Sequence, residues 1–102
     1  MDAKTTSTAG QEIVAVRLSV HGRVQGVGFR RFARSAAQQH GLAGWVRNAY
    51  DGSVEIWAEG PRRAVTIFLE TVRKGPSGSW VTDVEETWFS PDGSLNGFTV
   101  RY

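Results

Sequence analysis

A glycine-rich stretch joins a predicted strand to a predicted helix early in the chain. It reads Gly22-Arg23-Val24-Gln25-Gly26-Val27-Gly28-Phe29-Arg30. Residues 13–21 precede it and alternate apolar with polar side chains, which predicts a half-buried strand. A helical pattern begins near Phe29. Because a strand must turn sharply to enter a helix, the three glycines predict a tight loop whose backbone N–H groups can approach a ligand.

The composition of this loop favours binding of an anion. Successive N–H groups at the start of a helix bind anions, and the guanidinium of Arg30 matches two oxygens of a phosphate. The candidate phosphate-binding residues are Gly22, Arg23, Val24, Gln25, Gly26, Val27, Gly28, Phe29 and Arg30. The common nucleotide-binding patterns do not fit, since position 31 is arginine and no Gly-Lys-Ser/Thr follows. A glycine-rich turn is more often only a tight turn, so the loop alone leaves both interpretations open.

Composition narrows the class of protein. The chain has 102 residues, which is the length of one domain. Its formal net charge is only +2, which gives little support for nucleic-acid binding. It has no cysteine, which excludes disulfides and thiolate catalysis. No apolar run approaches the roughly 18 residues that a membrane span needs. Residues 1–11 are polar, which predicts a disordered tail. The expected domain therefore comprises residues 12–102. We expect a cytoplasmic monomer.

The order of predicted elements indicates the fold class. Strands are predicted at 13–21, 43–48, 53–59, 81–89 and 97–102, and helices at 28–40 and 60–74. Asp51-Gly52 is a strong signal for a hairpin between the second and third strands. The order is β-α-β-β-α-β with a further short strand. It predicts an α+β, ferredoxin-like split βαβ sandwich, with an antiparallel sheet of four to five strands and two helices on one face.

A second motif gives the loop a specific meaning. Gly44-Trp45-Val46-Arg47-Asn48 is followed by Gly52, Val54 and Gly60. Together with the Gly22–Arg30 stretch it resembles the two signatures of the acylphosphatases, and residues 97–102 resemble the final strand of that family. The resemblance implies the ferredoxin-like fold and hydrolysis of small acyl phosphates to a carboxylate and inorganic phosphate, without metal or cofactor. It also implies that Arg30 binds the phosphate and that Asn48 orients the attacking water.

The implied chemistry agrees with the residue types. A carboxylate is a good leaving group, so no general acid is needed, and positioning with electrostatic stabilisation does most of the work of phosphoryl transfer. Two positions depart from some relatives: Gly28 replaces a larger residue, and Ala49 lacks a hydroxyl. One alternative is a non-catalytic phosphate- or carbamoyl-phosphate-binding module. Nucleic-acid binding is disfavoured because the aromatic strand motif of RNA-binding sheets is missing. Glu59 is expected on a solvated strand face.

Overall fold

The computed structural model describes residues 10–102. The tail predicted at residues 1–11 therefore lies almost entirely outside the described residues. The elements within this range are β1 (Ile13–Arg23), α1 (Phe29–Gln39), β2 (Ala43–Asn48), β3 (Val54–Pro61), α2 (Arg62–Lys74), β4 (Trp80–Phe89) and β5 (Phe98–Arg101). Every predicted strand and helix is present, and β2 has the predicted bounds.

The strands form one sheet in the order β4-β1-β3-β2-β5. The pairs β1–β3, β1–β4 and β2–β3 are antiparallel as predicted, whereas β2 and β5 are parallel, so the sheet is mixed. The difference follows from the connection after β4. Residues 90–97 cross the end of the sheet at which β2 begins and lead to the opposite edge. Strand β5 therefore starts at the same end as β2 and runs beside it in the same direction.

Both helices cover one face of this sheet and enclose a single core. The even-numbered residues of β1 from Val14 to Val20 are buried, as the alternation predicted. They pack with the apolar faces of the two helices, which comprise Phe29, Ala33, Ala36 and Ala37 of α1 and Val65, Phe68, Leu69 and Val72 of α2. The predicted ferredoxin-like α+β fold is confirmed.

The junction between β3 and α2 lies later than predicted. We expected Pro61 in the first turn of the helix, but it is the last residue of β3 and is paired with Ile13. Its φ of −58° and ψ of 138° are extended rather than helical. The fixed φ of proline fits both conformations, and pairing with β1 selects the extended one. The helix begins at Arg62.

The opposite face of the sheet is largely open, and Glu59 occupies its one buried acidic position within residues 10–102. The prediction of a solvated Glu59 is wrong, since only 6% of the residue is exposed. Its carboxylate accepts hydrogen bonds from Trp57 Nε1 at 2.6 Å and from the backbone N–H groups of Asp92 at 2.9 Å and Gly93 at 3.2 Å. These bonds hold the connection between β4 and β5 against the sheet. No helix in the described part of the chain is long and apolar enough to cross a bilayer.

Candidate active site

A cleft of about 430 Å³ opens at one end of the sheet. Strands β1, β2 and β5 run in the same direction, so their C-terminal ends meet there beside the first turn of α1. The cleft is lined by Val24, Gly26, Gly28, Phe29, Arg30, Arg31, Arg34, Asn48, Val100 and Tyr102. Arg30 and Asn48, which are 18 residues apart in the sequence, thus line the same cleft.

The loop before α1 presents free backbone donors. Gly28 directly precedes the helix with φ 78° and ψ 19°, a left-handed conformation that suits glycine, and no side chain caps the helix. Its carbonyl accepts a hydrogen bond from the N–H of Phe32 at 3.0 Å. Within residues 10–102, the backbone N–H groups of residues 25–31 donate no hydrogen bond to a protein acceptor. These donors at the positive end of a helix are therefore available to an anion.

Three residues of the predicted loop lie in a strand or against the core and do not border the cleft. Gly22 and Arg23 end β1 and are paired with Val81 and Trp80 of β4, while Val27 packs against the core. The cleft borders Val24, Gly26, Gly28 and Phe29 of the predicted set, in addition to Arg30.

Gln25 ties the loop to the turn that follows Asn48. Its side-chain Nε2 donates to the carbonyl oxygen of Ala49 at 2.8 Å and to that of Ser53 at 2.9 Å. Both bonds span the gap between the two motifs of the sequence. Gln25 therefore fixes the position of the loop relative to the end of β2, and its side chain does not line the cleft.

The turn after Asn48 is held by its own hydrogen bonds. The carboxylate of Asp51 accepts from the hydroxyl of Ser53 at 2.6 Å and from its backbone N–H at 2.9 Å. These two bonds, the hydroxyl first, lower the pKa of Asp51 below its ordinary value of 3.8. The N–H of Ala49 donates to the carbonyl of Ser53 at 2.9 Å. The turn therefore keeps the end of β2 in place.

Asn48 is the last residue of β2 and is paired with Val54 of β3. Its side-chain amide forms no hydrogen bond to any other residue in the range 10–102. An amide carries both a carbonyl acceptor and an NH₂ donor. The half-buried Asn48 can therefore accept a hydrogen bond from a small polar molecule and donate another.

Four residues of the cleft were not predicted: Arg31, Arg34, Val100 and Tyr102. The guanidinium carbon of Arg30 lies 4.5 Å from the centroid of the Tyr102 ring, a cation–π contact. The spacing of Arg30 and Arg34 by four residues was the available signal, since it places both on one side of a helix. Tyr102 had none, because its place depends on the pairing of β5 with β2.

Comparison with known proteins agrees with this geometry. A family model described as Acylphosphatase matches residues 16–100. An acylphosphatase of Mesorhizobium japonicum is 51% identical over 81 residues, covering 76% of this chain and 86% of the relative. An acylphosphatase of Koribacter versatilis is 43% identical over 107 residues, covering 99% of this chain and 97% of the relative.

Solved structures give the same assignment. The crystal structure of acylphosphatase from Bacillus subtilis superposes with a TM-score of 0.85 at 45% identity, covering 87% of this chain and 99% of that chain. Full-length HypF in its phosphate- and nucleotide-bound form gives 0.83 at 27% identity, covering 90% of this chain and 12% of that one. The chain therefore belongs to the acylphosphatase family, as its two motifs predicted, and is an enzyme of that class.

Proposed function

We propose that the chain hydrolyses small acyl phosphates, with Arg30 and the N–H groups of the Gly22–Arg30 loop binding the phosphate and Asn48 positioning water. The observation that carries this proposal is that one cleft contains Arg30, the loop and an uncommitted asparagine amide. The anion donors lie in the loop after β1 and in the first turn of α1, whereas the amide lies at the end of β2, and the two Gln25 hydrogen bonds fix their separation.

The phosphate group fits the donors of the cleft. Its oxygens accept from the free N–H groups between residues 25 and 31 and from the guanidinium of Arg30. Negative charge spreads over three equatorial oxygens in the transition state, so donors already in place stabilise that state without reorganising. Helix α1 adds the partial positive charge of its N-terminus.

Asn48 acts on the nucleophile. Its side-chain carbonyl accepts one hydrogen of a water molecule, and its NH₂ group donates to a phosphate oxygen. The water oxygen forms a bond to phosphorus as the bond from phosphorus to the carboxylate oxygen breaks, and the leaving group departs with the electron pair of that bond. The water proton passes to a phosphate oxygen. The products are a carboxylate and inorganic phosphate.

Hydrolysis of benzoyl phosphate in the presence of excess chelator tests the proposal. We expect metal-independent turnover by the wild type, and a loss on the order of a hundredfold or more in Asn48→Ala and in Arg30→Ala, as for removal of one preorganised donor. Asn96→Ala is the matched control, because Asn96 is exposed in the connection between β4 and β5. Full activity of Asn48→Ala would overturn the role of this residue.

The alternative is a non-catalytic module that binds phosphate or carbamoyl phosphate. Such a module needs the loop and Arg30 but no water-positioning amide, so the uncommitted Asn48 argues against it. The same assay separates the two functions. A folded wild-type chain that binds inorganic phosphate and does not turn over benzoyl phosphate would establish the module and overturn the hydrolase.

A further inference from the structure

We propose that Asp51 and Ser53 are positioning residues for the reaction, because they hold the turn after β2 and thereby keep the amide of Asn48 in one place in the cleft. This inference rests on the proposed function, since both residues act through Asn48. Neither Asp51 nor Ser53 lines the cleft, so neither is expected to contact the substrate. What they hold is the backbone that follows Asn48.

The amide of Asn48 depends on its backbone for its position, since it bonds to no other residue in the range 10–102. Ala49 follows it and has no hydroxyl that could support it. Both backbone groups of Ala49 are bonded instead. Its N–H donates to the carbonyl of Ser53 at 2.9 Å, and its carbonyl accepts from the N–H of Gly52 at 3.2 Å. The same carbonyl accepts from Gln25 Nε2 at 2.8 Å. The backbone of the turn therefore fixes the end of β2.

Ser53 connects this turn to the phosphate-binding loop. It is one of two buried polar residues in the described part of the chain, with only 2% of the residue exposed. Its carbonyl oxygen accepts from the N–H of Ala49 at 2.9 Å and from Gln25 Nε2 at 2.9 Å. One oxygen atom thus bonds both to the residue after Asn48 and to the loop. The place of Ser53 therefore sets the separation between the amide and the loop.

Asp51 fixes Ser53 from the solvent side. Its Oδ1 atom accepts from the hydroxyl of Ser53 at 2.6 Å and from the backbone N–H at 2.9 Å. The hydroxyl first and the N–H second lower the pKa of Asp51 below 3.8, so the carboxylate is ionised at neutral pH and both bonds are charge-assisted. Asp51 is exposed. Its truncation therefore removes these two bonds without leaving a cavity in the core.

Loss of these bonds should affect turnover more than phosphate binding. The phosphate donors lie beside β1 and in the first turn of α1, which are held by the pairing of β1 with β4 and by the burial of Phe29 in the core. The amide of Asn48 instead lies next to the turn itself. A displacement of about 1 Å in a positioned group can cost about a hundredfold in rate. The expected signature is a lower kcat with little change in phosphate affinity.

The test measures benzoyl phosphate hydrolysis, inhibition by inorganic phosphate and urea unfolding for each variant. Asp51→Ala removes both bonds to Ser53, and Ser53→Ala removes only the bond from the hydroxyl. Asp51→Asn keeps a side-chain oxygen that can accept both, so it is the conservative rescue. Asp92→Ala is the matched control. Asp92 also accepts from the hydroxyl two residues later, that of Ser94 at 2.7 Å, but it lies in the connection between β4 and β5.

We expect kcat to fall about tenfold in Asp51→Ala and about threefold in Ser53→Ala, with the inhibition constant of phosphate within about twofold of wild type. Asp51→Asn and Asp92→Ala should keep kcat within about twofold of wild type. In an Asn48→Ala background, Asp51→Ala should lower kcat no further, because the amide that it positions is absent. Such non-additivity is a result that a purely structural role would not give.

A folded Asp51→Ala enzyme with wild-type kcat would overturn the inference. So would an Asp51→Ala loss of the same size with and without Asn48, since the residue would then act elsewhere. An Asp51→Asn enzyme as impaired as Asp51→Ala would overturn the role of the two hydrogen bonds. None of these results bears on the proposed function, which is decided separately by the activity of the wild type and of the Asn48→Ala single variant.

Discussion

The guanidinium of Arg30 packs on the ring of Tyr102, with 4.5 Å between the guanidinium carbon and the ring centroid. The contact joins the first turn of α1 to the residue that follows β5. It connects two parts of the cleft that are 72 residues apart in the sequence (102 − 30). An aromatic face limits the directions that the guanidinium can take, so the ring helps to fix the position of the Arg30 guanidinium in the cleft.

Replacing Tyr102 with leucine should therefore weaken phosphate binding. A cation–π contact at an exposed site is worth about 0.5–1 kcal/mol, so we expect KM for benzoyl phosphate and the inhibition constant of inorganic phosphate to rise about two- to fivefold. Tyr102→Phe keeps the ring and should stay close to wild type. If Tyr102→Phe lost as much as Tyr102→Leu, the hydroxyl group rather than the ring would matter.

Replacing Gln25 with leucine should damage both stability and activity. The carbonyls of Ala49 and Ser53 would lose their side-chain donor, at a cost of about 1–3 kcal/mol in the free energy of unfolding. The loop and Asn48 would also lose their fixed separation, so kcat/KM should fall about tenfold or more in the folded protein, in line with the cost of a misplaced group. Urea unfolding and benzoyl phosphate kinetics measure the two effects.

Gln39→Leu is the matched control for that change, since Gln39 is exposed at the end of α1. A Gln25→Leu enzyme with reduced stability but wild-type kcat/KM would contradict the positioning role of Gln25.

Replacing Gly44 with alanine should destabilise the fold strongly. A Cβ at this position would lie 1.8 Å from the carbonyl oxygen of Trp57, and the φ of 150° is one that other residues rarely adopt. Gly44 and Trp57 lie in the paired strands β2 and β3 and cannot move apart freely. We therefore expect the free energy of unfolding to fall by about 3 kcal/mol or more. Thermal or urea unfolding measures it.

Gly41→Ala separates conformational strain from collision. Gly41 has a φ of 65°, but a Cβ there would meet nothing within 4 Å. The expected cost is about 1–2 kcal/mol from the left-handed conformation alone. Equal losses in Gly41→Ala and Gly44→Ala would rule out the close approach to Trp57 as the cause.

Glu55 should make stability depend on pH. Burial raises its pKa, but hydrogen bonds from Arg47 and then Arg17 outweigh that effect, and the pKa lies below its ordinary value of 4.5. The folded form thus binds a proton less readily than the unfolded form. Its stabilising contribution is complete at neutral pH and is lost as the pH falls below about 4.5 through the folded pKa. Glu55→Gln should be less stable than wild type at pH 7 by urea unfolding, and the difference should shrink at pH 3.

Arg63→Gln supplies a control without an ion pair in the described residues. Its stability relative to wild type should change little between the two pH values. A Glu55→Gln difference that stayed constant with pH would mean that the substitution acts through packing rather than charge.

Local patterns were sufficient for the elements and for two residues of the site. The strand predicted at residues 43–48 is β2 with the same bounds, and the two motifs identified Arg30 and Asn48, which do line one cleft. These predictions depend on residues that are neighbours in the sequence. The apolar periodicity is a local property, and each motif lies within one loop or one hairpin.

Features that depend on distant parts of the chain were not predictable in the same way. Val100 and Tyr102 enter the cleft because β5 pairs in parallel with β2. Glu59 is buried because the connection after β4 folds onto it and donates from Asp92 and Gly93. Neither pairing has a signal in the sequence around the residue concerned. Strand β5 is parallel to β2 because the connection at residues 90–97 places the start of β5 at the end of the sheet where β2 begins.

The shared direction of β1, β2 and β5 divides the molecule into two ends with different tolerance to engineering. The parts proposed to bind substrate are all at one end, together with the connections at 24–28 and 49–53. The connections at 40–42 and 90–97 are at the other. Residues 94–96 lie beyond the two backbone groups bound by Glu59, so an affinity tag or a fluorescent reporter inserted there would leave the substrate-binding end unaltered.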